Sequence, residues 1–195
     1  MKNSRLWAGV LGVGAGLALG WLVFPALLYT SASQPLHFSH KTHTGEQVGM
    51  TCDMCHEFEA DGTFKGIPTI SKCAECHSSP IGTTEAEKQL VEEYVTPEKE
   101  IPWKVYLRQP DNAFFPHSPH VTLGEMACAE CHGPHGESDQ LPVYQENRLT
   151  GYSRDVWGRN IAGVHSNTWE GMKMDRCVTC HEERNRVDGC IICHK

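Results

Sequence analysis

The chain has 195 residues, a net charge of −7, ten cysteines and twelve histidines. Eighteen glycines and eleven prolines beside 8% aromatic residues leave little with which to build a conventional apolar core, so something other than side chains is expected to fill the interior. The first 33 residues hold Lys2 and Arg5 and no acid; the rest carries 15 basic and 24 acidic residues, which argues against nucleic acid as a partner and leaves a basic protein partner or plain solubility open.

Residues 6–28 are 23 consecutive positions without a charge. About 20 apolar residues span a bilayer core as a helix. Lys2 and Arg5 precede the run and the next charge is Lys41, so the positive-inside rule puts the N-terminus in the cytoplasm and the rest outside it. A cleaved signal peptide is the rival reading, with Thr30 and Ala32 at −3 and −1 of a cut before Ser33. Its apolar stretch would be about 7–15 residues, so the longer run here predicts an uncut anchor over 1–33. Ala8, Gly12, Gly16 and Gly20 recur every fourth residue, a smooth face against which another helix can pack closely.

All ten cysteines fall into five copies of C-x-x-C-H: Cys52/Cys55/His56, Cys73/Cys76/His77, Cys128/Cys131/His132, Cys177/Cys180/His181 and Cys190/Cys193/His194. This is the c-type haem attachment signature. Two thiols with two residues between them reach both vinyl groups of one haem, and the next histidine supplies an axial nitrogen to its iron. Zinc also uses C-x-x-C pairs, but has no need of a histidine after each second cysteine, and five such units do not pair evenly into four-cysteine sites. Disulfides across so tight a spacing would constrain little chain.

Seven histidines lie outside the motifs: His37, His40, His43, His117, His120, His135 and His165. Phe38 to His43 and Phe115 to His120 both read F-x-H-x-x-H, with His40 twelve residues before Cys52 and His117 eleven before Cys128, an internal duplication. Two histidines three apart can serve two haems. A fifth distal ligand is expected from His165, in the long gap between the third and fourth motifs, with His135 next; His37 is the expected bystander, and Met172 and Met174 more often fill space. Twelve histidines would fill both axial positions on six irons, which leaves open a sixth haem held without thioethers, or two spare histidines.

Between the duplicated parts, Thr84-Glu85-Ala86-Glu87 reads as a capping box opening a helix with Leu90, Val91 and Tyr94 on one face and Pro97 as its stop. Five prolines between 97 and 119, and weak periodicity over 141–163, predict irregular loops. The expected fold is mostly α and irregular with few or no strands: an N-terminal transmembrane helix, then a small multihaem domain organised around stacked haems. Its parts are an anchor at 1–33, a two-motif haem module at 34–82, a helix and linker at 83–112 and a three-motif module at 113–195.

The paired F-x-H-x-x-H and C-x-x-C-H arrangement resembles that of the tri- and tetrahaem cytochromes. The resemblance implies that His40 ligates the Cys52/Cys55 haem and His43 a neighbouring haem, with His117 and His120 doing likewise in the second module. With a single anchor and five motifs, and with Met174 to His181 followed closely by Cys190 to His194, the chain also resembles the cytochrome subunits of membrane quinone oxidoreductases. These include the quinone reductase complex of sulfate reducers and, in a larger chain, alternative complex III. That resemblance implies electrons arriving from a soluble periplasmic multihaem cytochrome and passing to iron–sulfur subunits and a menaquinone-reducing membrane subunit. It also implies six haems, against five motifs here. Bis-histidine irons have no open position and carry electrons rather than bind substrate. The chain is thus expected to be no enzyme by itself; a multihaem reductase would need an open iron, often with lysine in place of a motif histidine. A free-standing anchored quinol oxidiser is the other alternative.

Overall fold

The computed structural model describes residues 2–107, 109, 111–149, 174–186 and 189–194. The chain opens with helix α1 (Lys2–Ala18), which continues through a π-helical turn (Leu19–Val23) into α2 (Phe24–Leu28). Pro25 has no peptide N–H to donate. The helix meets it with a wider turn in which the Phe24 N–H bonds to the Leu19 carbonyl. Ser4–Val23 is long and apolar enough to cross a membrane, and none of it is buried by the rest of the described chain.

Strand β1 (Tyr29–Ala32) follows at once and pairs antiparallel with β2 (Tyr144–Asn147), Tyr29 opposite Asn147 and Ala32 opposite Tyr144. The Arg148 N–H extends the ladder to the Leu28 carbonyl. This two-stranded strap ties the end of the apolar helix directly to the domain. It fits the expectation of few strands, although β2 lies in a stretch expected to be irregular. Neither strand shows the apolar alternation by which strands are read, and the pairing partners are more than a hundred residues apart.

The rest is short helical pieces joined by loops: α3 (His40–Thr44), a 3-10 turn (Cys52–Met54), α4 (Ile70–His77), α5 (Glu85–Gln89) running into a π turn (Leu90–Val95), a π turn (Pro119–Leu123), α6 (Cys128–His132), a 3-10 turn (His135–Glu137), α7 (Met174–Glu183) and α8 (Cys190–Cys193). The described residues contain one apolar cluster. Leu36, Ile70, Leu90, Tyr94 and Ile101 are buried together, with Ala86, Val95, Cys73 and Trp103 against them. Leu90, Val91 and Tyr94 are the face read from periodicity, and all three are buried. The cluster seats α4 on the linker helix, and Glu100 accepts the Ile70 N–H at the start of α4. It therefore fixes the second haem motif in place. Among the described residues no side chain is completely buried, so apolar packing alone organises only this corner.

Candidate haem sites

A single helical turn puts residues i, i+3 and i+4 on one face. Four of the five motifs use it: the second on α4, the third on α6, the fourth on α7 and the fifth on α8 with His194 following; the first begins on the 3-10 turn Cys52–Met54. The local geometry thus aims both thiols and the imidazole of a motif to the same side. None of the ten cysteines forms a disulfide.

The duplicated F-x-H-x-x-H segments have the same ring geometry. Phe38 meets His40 edge-on at 5.0 Å and 86° and stacks on His43 at 4.6 Å and 15°. Phe115 meets His117 edge-on at 5.1 Å and 86° and stacks on His120 at 4.5 Å and 27°. In each copy the second histidine returns its Nδ1 to the backbone carbonyl four residues earlier: His43 to Ser39 at 2.8 Å, His120 to Pro116 at 2.9 Å. The phenylalanine acts as a wedge that spreads the two imidazoles to different sides.

Each spread imidazole faces another. His43 lies 6.2 Å from His77, ring centroid to ring centroid, His117 lies 6.2 Å from His132 with the planes 5° apart, and His120 lies 6.0 Å from His181. An iron bonded to an imidazole nitrogen at about 2 Å stands about 3 Å from that ring's centroid, so two axial rings on one iron sit about 6 Å apart. Three motif histidines thus have a partner at the separation that a shared iron needs. A zinc site needs four converging ligands; among the described residues, no three or more histidine, cysteine, aspartate or glutamate side chains gather at one point.

His40 and His135 form a fourth pair, 6.2 Å apart and tilted by 40°, and neither belongs to a motif. Three contacts hold the His135 turn against α3: the Lys41 N–H donates to Ser138 O at 3.1 Å, the Thr44 hydroxyl donates to Gly136 O at 2.5 Å, and Lys41 pairs with Asp139 at 3.6 Å. The resemblance pointed His40 toward the haem of His56. The measured neighbour is His135, while His56 is close enough to act on His40 electrostatically. Sequence gave no signal for the His40–His135 meeting, which depends on two turns 92 residues apart. His194 bonds through Nδ1 to Asn112 O at 3.2 Å, and the Phe114 N–H to Cys193 O pins α8 to the 112–114 segment. His165 and Met172 lie outside the described residues. His37 is exposed, as is Met174 at the start of α7.

Electrostatics favour the neutral imidazole that a metal requires. Burial, followed by repulsion from His135, His56 and His43, lowers the His40 pKa to about 4. Burial and then His120 lower His117; burial and then His117, His135 and His56 lower His132. The thiols show which motifs are neighbours. Burial and then the Cys55 sulfur raise Cys73. Burial and then the Cys52 sulfur raise Cys128. Burial and then Cys180 raise Cys131, and burial and then Cys193 raise Cys177. Read together, the motifs adjoin in the order second, first, third, fourth, fifth.

One functional contact escaped sequence reading. Thr84 caps the linker helix by accepting the Glu87 N–H at 3.2 Å, as the capping box predicts. The Glu87 side chain does not complete the box; its Oε1 accepts from His77 Nδ1 at 2.8 Å and from the Ile81 N–H at 3.0 Å. Burial opposes its ionisation, but the Ile81, His77 and Gly82 donors hold its carboxyl below the ordinary value.

Helical C-x-x-C-H turns beneath imidazoles paired an iron's width apart define a multihaem c-type cytochrome, a carrier of electrons. Residues 42–144 match the cytochrome c3 family. The multihaem cytochrome c subunit of the menaquinone reductase of Nitratidesulfovibrio vulgaris (strain Hildenborough) is 38% identical over 200 residues, covering 95% of this chain and 88% of the relative. The chain belongs to this family of multihaem cytochrome c subunits, with haem c covalently bound.

Proposed function

We propose that this chain is the haem arm of a membrane quinone oxidoreductase. It is anchored by its first helix with the haem domain on the periplasmic side, and it passes electrons between a soluble periplasmic cytochrome and the iron–sulfur and menaquinone-reactive subunits of the complex. The carrying observation is the pairing of His43, His117 and His120 with His77, His132 and His181 at 6.0–6.2 Å. Those residues would hold three of five covalent haems as bis-imidazole centres. His56 and His194 would ligate the other two from their motifs, with His40 as the distal ligand of the His56 haem and His165 as the fifth distal ligand.

Bound there, haem supplies a one-electron Fe(III)/Fe(II) couple. The protein would supply imidazoles that leave the irons no position open to substrate, and it would supply order. Adjoining thiols line the attachment sites up from Cys73/Cys76 through Cys52/Cys55, Cys128/Cys131 and Cys177/Cys180 to Cys190/Cys193.

A second reading has one observation in its favour. The His40–His135 pair has the spacing for an iron of its own, and would hold a sixth haem without thioethers. Haem quantitation before and after acid–acetone extraction decides between them. Five haems, none extractable, assigns His40 to the His56 iron; six with one extractable assigns it to His135.

Purification of the chain from its native membrane in mild detergent tests the function. Iron–sulfur and polytopic membrane subunits should accompany it, with low-spin haem throughout. A chain that purifies alone would instead be the free-standing anchored carrier, and a high-spin haem in the native protein would revive a catalytic role.

A further inference from the structure

Axial imidazoles are tuned by what accepts their other N–H. Among the described residues, His43 turns Nδ1 to Ser39 O, His56 to Gly66 O, His120 to Pro116 O and His194 to Asn112 O, at 2.8–3.2 Å. His77 is different. Its Nδ1 donates to the Glu87 carboxylate at 2.8 Å, and the two side chains are only 14% and 11% exposed.

We propose that Glu87 is a positioning residue that lowers the reduction potential of the haem carried by Cys73, Cys76 and His77. This rests on the haem-arm reading and deepens it. A carbonyl orients the ring and fixes its tautomer, leaving Nε2 for the iron. A carboxylate does this and also draws the Nδ1 proton toward itself. The ring gains imidazolate character and a full negative charge is held one ring away from the metal. Both effects stabilise Fe(III), which has one positive charge more than Fe(II), and so disfavour taking up the electron. The half-dry setting strengthens both, since Coulomb terms scale inversely with effective dielectric.

The carboxylate is built in rather than chance-placed. Thr84 caps the helix start, which sets Glu87 one turn in; the Ile81 N–H holds the same Oε1 that His77 uses. Two donors to one carboxylate oxygen leave it a single orientation. The motif so tuned adjoins the Cys52/Cys55 motif, whose Cys55 sulfur acts on Cys73.

The test is spectroelectrochemical titration of the full-length, haem-loaded chain in detergent, wild type against Glu87→Gln. Glutamine keeps an acceptor oxygen of the same reach and removes the charge. The wave belonging to this haem is the one missing from a Cys73→Ala/Cys76→Ala variant. In E87Q that wave should move to higher potential. Its reduced-to-oxidised ratio at fixed potential should rise about tenfold, about 59 mV for a one-electron couple, with the other waves and the haem count unchanged. An unmoved wave overturns the proposal. Should E87Q fail to retain the haem, Glu87→Ala carries the test, because it removes both the acceptor and the charge. A wave above wild type supports tuning, and an unshifted one overturns it. A high-spin signal from this haem in the wild type would instead count against the His43–His77 pairing on which the haem-arm reading stands.

Discussion

His120 reaches His181 because Phe115 stacks on its ring and the Pro116 carbonyl holds its Nδ1. Removing the imidazole should leave the haem attached through Cys177, Cys180 and His181 but open one face of the iron. We expect His120→Ala to keep the full covalent haem count while converting one low-spin haem to high-spin, read by electron paramagnetic resonance. A loss of two low-spin centres, or of none, would break the proposed pairing. At this scale the sequence was informative because covalent chemistry dictates it. C-x-x-C-H is imposed by the cofactor, and F-x-H-x-x-H by a wedge and two ligands. Glu87 was not legible for the opposite reason. A glutamate three residues after a threonine at a helix start has an ordinary role as a capping partner, and only the fold shows that its side chain turns to His77 instead.

The elements are short, so their positions depend on a few contacts between them. Leu90 carries the linker helix against α4, in the one buried cluster of the described residues. Truncation should cost about 2–5 kcal/mol. Leu90→Ala should therefore lower the thermal unfolding midpoint of the haem-loaded chain and loosen the environment of the second motif first; an unchanged midpoint would mean that the cluster does not hold α4. Gly62 lies in the loop between the first and second motifs, at φ +85°. A Cβ there would come within 2.6 Å of the Ser118 hydroxyl oxygen, in the second F-x-H-x-x-H segment. Both the backbone and the neighbour resist a side chain, so Gly62→Ala should destabilise by about 1–3 kcal/mol. Gly49→Ala is the control: its φ is +70°, but a Cβ there meets nothing within 4 Å, so its cost should be the smaller. The linker helix could be read ahead because its apolar face is periodic. The β1–β2 strap could not, because four-residue polar strands carry no pattern and their pairing is set by where the apolar helix ends.

At the scale of the whole molecule, no part of the apolar span is buried against the other described residues. It is unburied from Ser4 to Val23, and a Cβ added at Gly12, Gly16 or Gly20 would meet open space. An anchor needs only length and hydrophobicity, and for that purpose leucine would serve better than glycine at each of these positions. A helix that packs against another needs small residues on one side, because lipid offers no hydrophobic drive for association and close backbone approach must supply the contact. The strap sharpens the distinction: with Arg148 bonded to Leu28, the helix direction and the haem domain are coupled, and a partner gripping the helix would orient the haem array as well. Replacing Gly12 and Gly16 with isoleucine should leave the chain in the membrane with its haem spectrum and potentials unchanged, yet strip the polytopic subunit from it on detergent purification. Full retention of that subunit would place the grip on the haem domain instead, and leave the helix an anchor whose glycines face only lipid.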